Sequence, residues 1–219
     1  DCTDIIPEDP AEKNSFMIPH IGQALRKKDM DYIAWAIKNQ EAHGADIIVD
    51  IHPDNEYECS AIPGGIGKAR DGADLVLGNR FRSEKGPLRN GMFIWKYVII
   101  VILNKLHGLV LGTHHIDHHS GFRVYSRHLF EYINFEANSN KFLFSFEIIT
   151  QCVHHKLALE DVPVETHYIG KKRGAALKHV FVYSLGTFIT LARFFLAKLG
   201  FNIRMFRPRI DPSLVRTKK

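Results

Sequence analysis

Cysteine is scarce in this chain of 219 residues: Cys2, Cys59 and Cys152 are all it has, far apart and odd in number. That excludes a disulfide framework and the close cysteine pairs of a zinc knuckle, and it points to a reducing compartment. Acidic residues are nearly missing from the C-terminal part. Residues 170–219 hold 12 Lys or Arg against one Asp, Asp211. The formal +5 is therefore a tail of +11 on a body of −6, an asymmetry that implies an anionic partner. No stretch of about 18 residues is free of charge, which argues against a simple membrane span. An apolar leader is lacking too: the opening DCTDIIPEDP is acidic, and no signal peptide is expected. There is no internal repeat and no low-complexity tract.

What is present is most telling at residues 44–57, GADIIVDIHPDNEY. The apolar run Ile47-Ile48-Val49 leads into a polar turn with Asp50, His52, Asp54 and Glu56. An open α/β sheet presents charge in this way at the carboxyl ends of its strands, where such sheets bind ligands. Clustered carboxylates there can hold a divalent cation that grips phosphate oxygens. A second run, GADLVLGNRF at residues 72–81, ends in Arg80, whose planar fork suits a phosphate or a carboxylate.

Periodicity and turn chemistry organise the rest. Residues 22–43 read as a helix closed by Gly44, and strands are expected at 46–51 and 73–78 with a short helix or loop at 62–70. RSEKGPLRNGM reads as a flexible loop punctuated by Gly86, Pro87 and Gly91. Residues 92–111 form an apolar helix interrupted by Lys96, Asn104 and Lys105. VYSRHLFEYI and KFLFSFEIITQCVHHK read as helices, and LEDVPVETHYI as a closing strand. The alternation predicts an α/β fold, a mostly parallel sheet with helices on both faces. Residues 175–201 read as one or two amphipathic helices, lying in a membrane interface with their cations towards anionic headgroups, or else packed as a core pair. Phe, Leu and Val dilute the tail's charge, which suits lipid better than nucleic acid. The expected domains are 1–169 and a basic tail, 170–219.

Several strings, taken in order, resemble the family 2 glycosyltransferases, in particular bacterial and archaeal members akin to dolichyl-phosphate mannosyltransferase. GADIIVDIHPDNEYECSAIP is similar to the strand and metal motif of that family, GADLVLGNRF to its next strand, and NGMFIWKY to its acceptor-loop segment. DHHSGFRVYSR, FLFSFEIITQ and LEDVPVETHY follow in family order. The pairing of LVLGNRF with SGFRVYSR at this spacing is the specific part. The resemblance covers roughly residues 20–206. It implies a GT-A nucleotide-diphosphosugar transferase fold, inverting transfer, a divalent metal, a nucleotide-sugar donor and a polyprenyl-phosphate or saccharide acceptor. A cytoplasmic protein peripheral to the inner face of a membrane is then expected.

Residue by residue, the resemblance puts His52 and Asp54 on the family's D-x-D metal motif. A histidine at the first position favours Mn2+, or no metal, over Mg2+. Arg80 falls on the family arginine after the second strand. Asp117, Ser120 and Arg123 fall on the loop beside the acceptor site, and Glu147 on an acidic position of the next helix. Asp4 lies in DCTD, which resembles the end of a D-G-S-T-D segment. The strand and P-x-Y-N-E turn with which family members begin have no counterpart here, so a truncated or inactive chain is one expectation. Catalytic roles are implied for Asp54, Arg80, Asp117 and Glu147. Substrate contacts are implied for Asp4, His52, Arg80, Ser120, Arg123, Arg173 and Lys178. Each has a plainer alternative: a turn cap for Asp54, a surface ion pair for Arg80, a helix carboxylate paired with Arg123 for Glu147, a solvated basic loop for Lys171 to Lys178. The run His114, His115, Asp117, His118, His119 suggests zinc at first sight. Adjacent loop histidines do not converge on one metal, however, and Asp117 and His119 fit an acceptor pocket better.

Overall fold

The computed structural model describes residues 46–51, 56–140, 142–168 and 181–209 in full, and residues 5–7, 17–19 and 177–180 as backbone. The chain divides into two compact units, Asp1–Ala45 and Asp46–Lys219. In the first unit, strands β1 (Ile5–Pro7) and β2 (Met17–Pro19) pair antiparallel. The helix expected at 22–43, Asp4, and the segment 171–176 with Arg173 lie outside the described residues.

The second unit is built on four strands, β3 (Ile47–Ile51), β4 (Leu75–Asn79), β5 (Phe122–Ser126) and β6 (Leu159–Pro163), in the order β3-β5-β4-β6. β4 and β6 are parallel neighbours, while β5 runs antiparallel to both β3 and β4. The sheet is thus mixed, where a mostly parallel one was expected. Three strands still point the same way, and the reversed one takes the first three residues of VYSRHLFEYI together with the two before it. That segment is not one helix. Phe-Arg-Val-Tyr-Ser alternates in and out as a strand, and helix α4 (Arg127–Tyr132) begins only at Ser126, whose hydroxyl accepts from the Leu129 amide as an N-cap.

The other helices of this unit are α1 (Ile62–Arg70), α2 (Gly86–Arg89), α3 (Ile94–Leu111), α5 (Phe144–His154) and α6 (Leu177–Lys198). The tail thus forms one helix. Strand alternation sorts the core into two layers. Val76, Phe122, Val124, Val162 and Val164 turn to the α1 face, with Ile47, Val49 and Ile51 packed beside them. On the opposite face, Tyr125 meets Phe130 of α4 at 5.2 Å between ring centres, and Phe130 meets Phe135 at 5.4 Å. The α/β expectation, a sheet flanked by helices, therefore holds.

The Asp74 carboxylate ties three strands together at one end. It accepts from the Ala158 amide at 2.8 Å and from the Ser126 hydroxyl at 3.3 Å, and it pairs with His128 at 2.7 Å. The segment expected as a flexible loop contains α2, with Pro87 buried. Glu165 holds it by accepting from the Lys85 amide and from the Asn90 side chain. Past α6 the chain packs back on this unit: Met205 and Phe206 are buried, and the Arg209 amide donates to the Tyr132 carbonyl.

Gly78 is where packing leaves no room for a side chain. A Cβ there would sit 2.8 Å from both Phe122 Cβ and Val164 Cγ1. Both neighbours belong to the α1-face core, so Gly78→Ala is expected to cost about 1–3 kcal/mol through overpacking. A shift of the urea midpoint at unchanged slope would report it.

Candidate functional site

The carboxyl ends of β3, β4 and β6 share one sheet edge, since Ile51 pairs with Phe122, Leu77 with Arg123 and Asn79 with Pro163. The loop 113–121 enters β5 at the same edge. Its groups and those of the strand ends are brought together there.

β4 delivers Arg80 directly. Asn79 turns the chain by accepting from the Phe81 amide, and the Arg80 side chain runs inward, only 5% exposed. Its fork is filled by Asp117: Nε donates to Oδ2 at 2.6 Å and Nη2 to Oδ1 at 3.0 Å. Nη2 also donates to the His119 carbonyl at 3.1 Å, and Nη1 to the Tyr168 hydroxyl at 3.2 Å. The surface ion pair offered as the plainer alternative for Arg80 is not what is found; the fork clamps a carboxylate. Arg80 and Asp117 form a bidentate pair shut away from water, and Asp117 is fully buried.

Asp117 has further donors, the Asn104 side-chain amide at 3.1 Å and the His119 amide at 3.3 Å. Burial alone would raise its carboxyl, but the Arg80 charge and the hydrogen bonds from Arg80 and Asn104 outweigh it and hold the group below the usual range. Burial likewise works against Arg80's charge, and Asp117 restores it, holding the guanidinium protonated.

The second pair follows from strand register. Asp50 of β3 stands opposite Arg123 of β5, and Arg123 Nη1 lies 3.6 Å from Asp50 Oδ2. The Tyr125 hydroxyl also donates to that oxygen, at 3.4 Å. Asp50 is about a third exposed, whereas Arg123 is 5% exposed with its Nε lacking any hydrogen-bond partner among the described residues. Tyrosines surround these groups. The Tyr57 hydroxyl accepts from the Gly121 amide at 2.7 Å, and Tyr183 of α6 meets His119 Nδ1 at 3.1 Å. Burial pushes both phenols up to about 12, so they stay neutral.

Ser120 is buried, and its hydroxyl accepts from the Phe122 amide at 3.3 Å, which shapes the turn into β5. Glu147 lies on α5, and its carboxylate accepts from the Ser139 amide at 2.6 Å; it is not bonded to Arg123. Burial raises its carboxyl. His118 is buried and His119 half-buried, and both are held neutral by desolvation, His118 at about 4, so they are neutral members of the loop core. His52 and Asp54 lie outside the described residues, as does the Lys178 side chain. Among the described residues no three His, Cys, Asp or Glu converge where a metal ion could be held.

Sequence reasoning passed over Tyr57, Tyr168, Tyr183 and the role of Asn104. Asn104 alone carried a signal, as a polar residue inside an apolar helix.

No known family profile matches the chain. Solved structures that resemble it include glucosyl-3-phosphoglycerate synthase from Mycobacterium tuberculosis with phosphoglyceric acid, at 16% identity over 68% of this chain and 49% of that one, TM-score 0.45. The same synthase with Mn2+, UDP-glucose and glycerol 3-phosphate matches at 15% identity over 68% and 49%, TM-score 0.44. A further structure of it matches at 16% identity over 78% and 61%, TM-score 0.42. The chain spans about half the length of the first two.

Proposed function

We propose that this chain is an inverting glycosyltransferase of the GT-A type, working at a membrane surface with a nucleotide-diphosphosugar donor and a polyprenyl-phosphate or saccharide acceptor. The observation that carries the reading is the junction of the two strings behind the specific resemblance. GADLVLGNRF and DHHSGFRVYSR come from distant parts of the chain, and Arg80 with Asp117 joins them at the shared edge. Asp50 and Arg123 lie at that edge as well.

In this reading the acceptor oxygen attacks the anomeric carbon. The bond from that carbon to the diphosphate breaks, and the nucleoside diphosphate leaves with the electron pair. Arg123, whose buried Nε has no hydrogen-bond partner among the described residues, and Arg80 supply fixed positive potential behind the diphosphate. Asp117, held ionised and filled by donors, is a poor proton acceptor, which accords with a phosphate acceptor that is already an anionic nucleophile. A divalent cation, Mn2+ or Mg2+, at His52 and Asp54 belongs to the same proposal; when bound it supplies charge to the leaving diphosphate.

Membrane contact rests on α3 and α6. Both are long and apolar enough to cross a bilayer by length and composition. Each, however, lays one side on the protein and turns Ile94, Val98, Ile102 and Leu109, or Phe181, Leu185 and Phe195, to the outside. A helix packed on one side and apolar on the other fits the plane of the interface. No acidic residue occurs in 94–111 or 177–209, while Lys96, Lys105, Arg193, Lys198, Arg204 and Arg207 do. An anionic bilayer matches both the apolar faces and their cations.

The purified chain with Mn2+, radiolabelled nucleotide sugars and polyprenyl phosphate is expected to yield labelled lipid; absence of product with every donor would overturn the catalytic reading. The filled fork of Arg80 favours one other reading, a binding or scaffold protein on the same fold. Calorimetry separates the two, because a scaffold gives no heat with nucleotide sugar and metal.

A further inference from the structure

The two helices with apolar outer faces each hydrogen-bond the same loop through one inward side chain, and α3 also lays the buried His107 ring 5.0 Å from that of His119. Asn104 of α3 lies on the side of the helix opposite Ile102 and Leu106, which are exposed. Its Nδ2 donates to Asp117 Oδ1 at 3.1 Å, and its Oδ1 accepts from the His118 amide at 3.0 Å and lies 3.2 Å from His118 Nδ1. Tyr183 of α6 meets His119 Nδ1 at 3.1 Å, and that imidazole stacks on Phe146 of α5 at 6.2 Å between centres and 11° between planes. Three successive residues of the loop, Asp117, His118 and His119, thus hang on the two outer helices. The same loop holds Arg80 and leads into Arg123.

We infer that Asn104 and Tyr183 are positioning residues that couple seating of α3 and α6 in an anionic bilayer to the order of the 113–121 loop. The inference rests on the membrane reading above and goes beyond it, because it makes the bilayer a structural partner of the site and not only an anchor. The physical route is short. An apolar helix face left in water carries a standing cost, and seating it in lipid removes that cost and fixes the helix. A fixed helix holds Asn104 and Tyr183 in place, and each then restrains the loop atoms it bonds. Neither side chain touches lipid in this arrangement. A purely structural asparagine would brace the loop equally with and without a membrane.

Hydrogen–deuterium exchange of the full chain, alone and on vesicles of phosphatidylglycerol and phosphatidylcholine, tests the coupling. Vesicle binding is expected to slow exchange of the amides at 117–121 by about 5- to 10-fold, in the range of typical coupling between sites. Asn104→Ala and Tyr183→Phe are expected to sediment with the vesicles as the parent does, yet to lose most of that slowing. Tyr183→Phe removes a single hydroxyl and keeps the ring, so it serves where Asn104→Ala fails to fold. Equal slowing in parent and variants overturns the inference, as does vesicle binding with no change at 117–121. Failure to bind the vesicles at all sinks the membrane reading itself, and this inference with it.

Discussion

Asp117→Ala is expected to lower the free energy of unfolding by about 3–5 kcal/mol, the range for a buried ion pair that loses one partner. The substitution leaves the Arg80 guanidinium 5% exposed with its two strongest acceptors removed. Only the His119 carbonyl and the Tyr168 hydroxyl would remain, and neither carries a charge. The asparagine amide of Asn104 would lose its acceptor as well. The double replacement Arg80→Met with Asp117→Leu is expected to recover most of the loss, since an apolar pair of similar volume often does no worse than a buried salt bridge. Urea unfolding of the parent, the single variants and the double variant closes the cycle. A cost below about 1 kcal/mol for Asp117→Ala, the level of an exposed pair, would show that water reaches these groups.

Acid is expected to destabilise the fold between pH 6.5 and 4, beginning above the range in which ordinary carboxylates titrate. His107, His118 and His155 are each pushed down from 6.5 to about 4, first by burial, and His119 is lowered further for the same reason. A histidine with a depressed folded pKa binds its proton in the unfolded chain first. Stability is therefore unaffected above 6.5, falls as pH drops below it, and levels off only under the folded values. Each proton contributes about 1.4 kcal/mol per pH unit across its window. The shifts of the fully buried His107 and His118 alone give a loss on the order of 7 kcal/mol over the window, and the partly exposed His155 adds less. Glu147 works the other way, because its raised carboxyl takes up a proton in the folded state earlier. Asp117, held low, keeps its contribution through this window and gives it up only at lower pH.

His107→Phe isolates one member of this set. Neither ring nitrogen of His107 has a hydrogen-bond partner among the described residues, and Phe146 lies 4.6 Å from the ring centre. A phenyl ring of similar shape loses no bond there, so the variant is expected to be neutral or stabilising at pH 7 and to flatten the acid slope by one proton. Chemical denaturation at pH 7, 6, 5 and 4 measures both effects. A stability that stays constant down to pH 4 would overturn the assignment of these histidines as buried and neutral.

Strands such as Ile47–Ile51 and Leu75–Asn79 were legible because an apolar run ends at polar turn residues. β5 was not, because its alternation lasts only from Phe122 to Ser126 before helical spacing takes over. Nor does local sequence record strand direction, which depends on which strands the chain returns to. Arg80 and Asp117 stood out through resemblance, but as two groups facing ligands. Their union is a matter of burial, which no spacing reports. The signal at Asn104 was visible and its meaning was not: a polar residue in an apolar helix says that something is bonded there, without saying what. His52, Asp54, Asp4 and Arg173, on which the metal and part of the donor expectation rest, lie outside the described residues.

The reversed strand also sets a timetable for the nascent polypeptide. β3 leaves the ribosome without its ladder partner β5, which is made more than seventy residues later. Until Ser126 emerges, Ile47–Ile51 has no β5 edge to complete its hydrogen bonds, and its apolar side chains lack the phenylalanine and valine they pack against. Pairing across so long an interval is slow to nucleate and leaves a sticky segment waiting. Synthesis of this protein should therefore lean on chaperones during the stretch between those two strands, and a ribosome stalled there would expose an aggregation-prone intermediate.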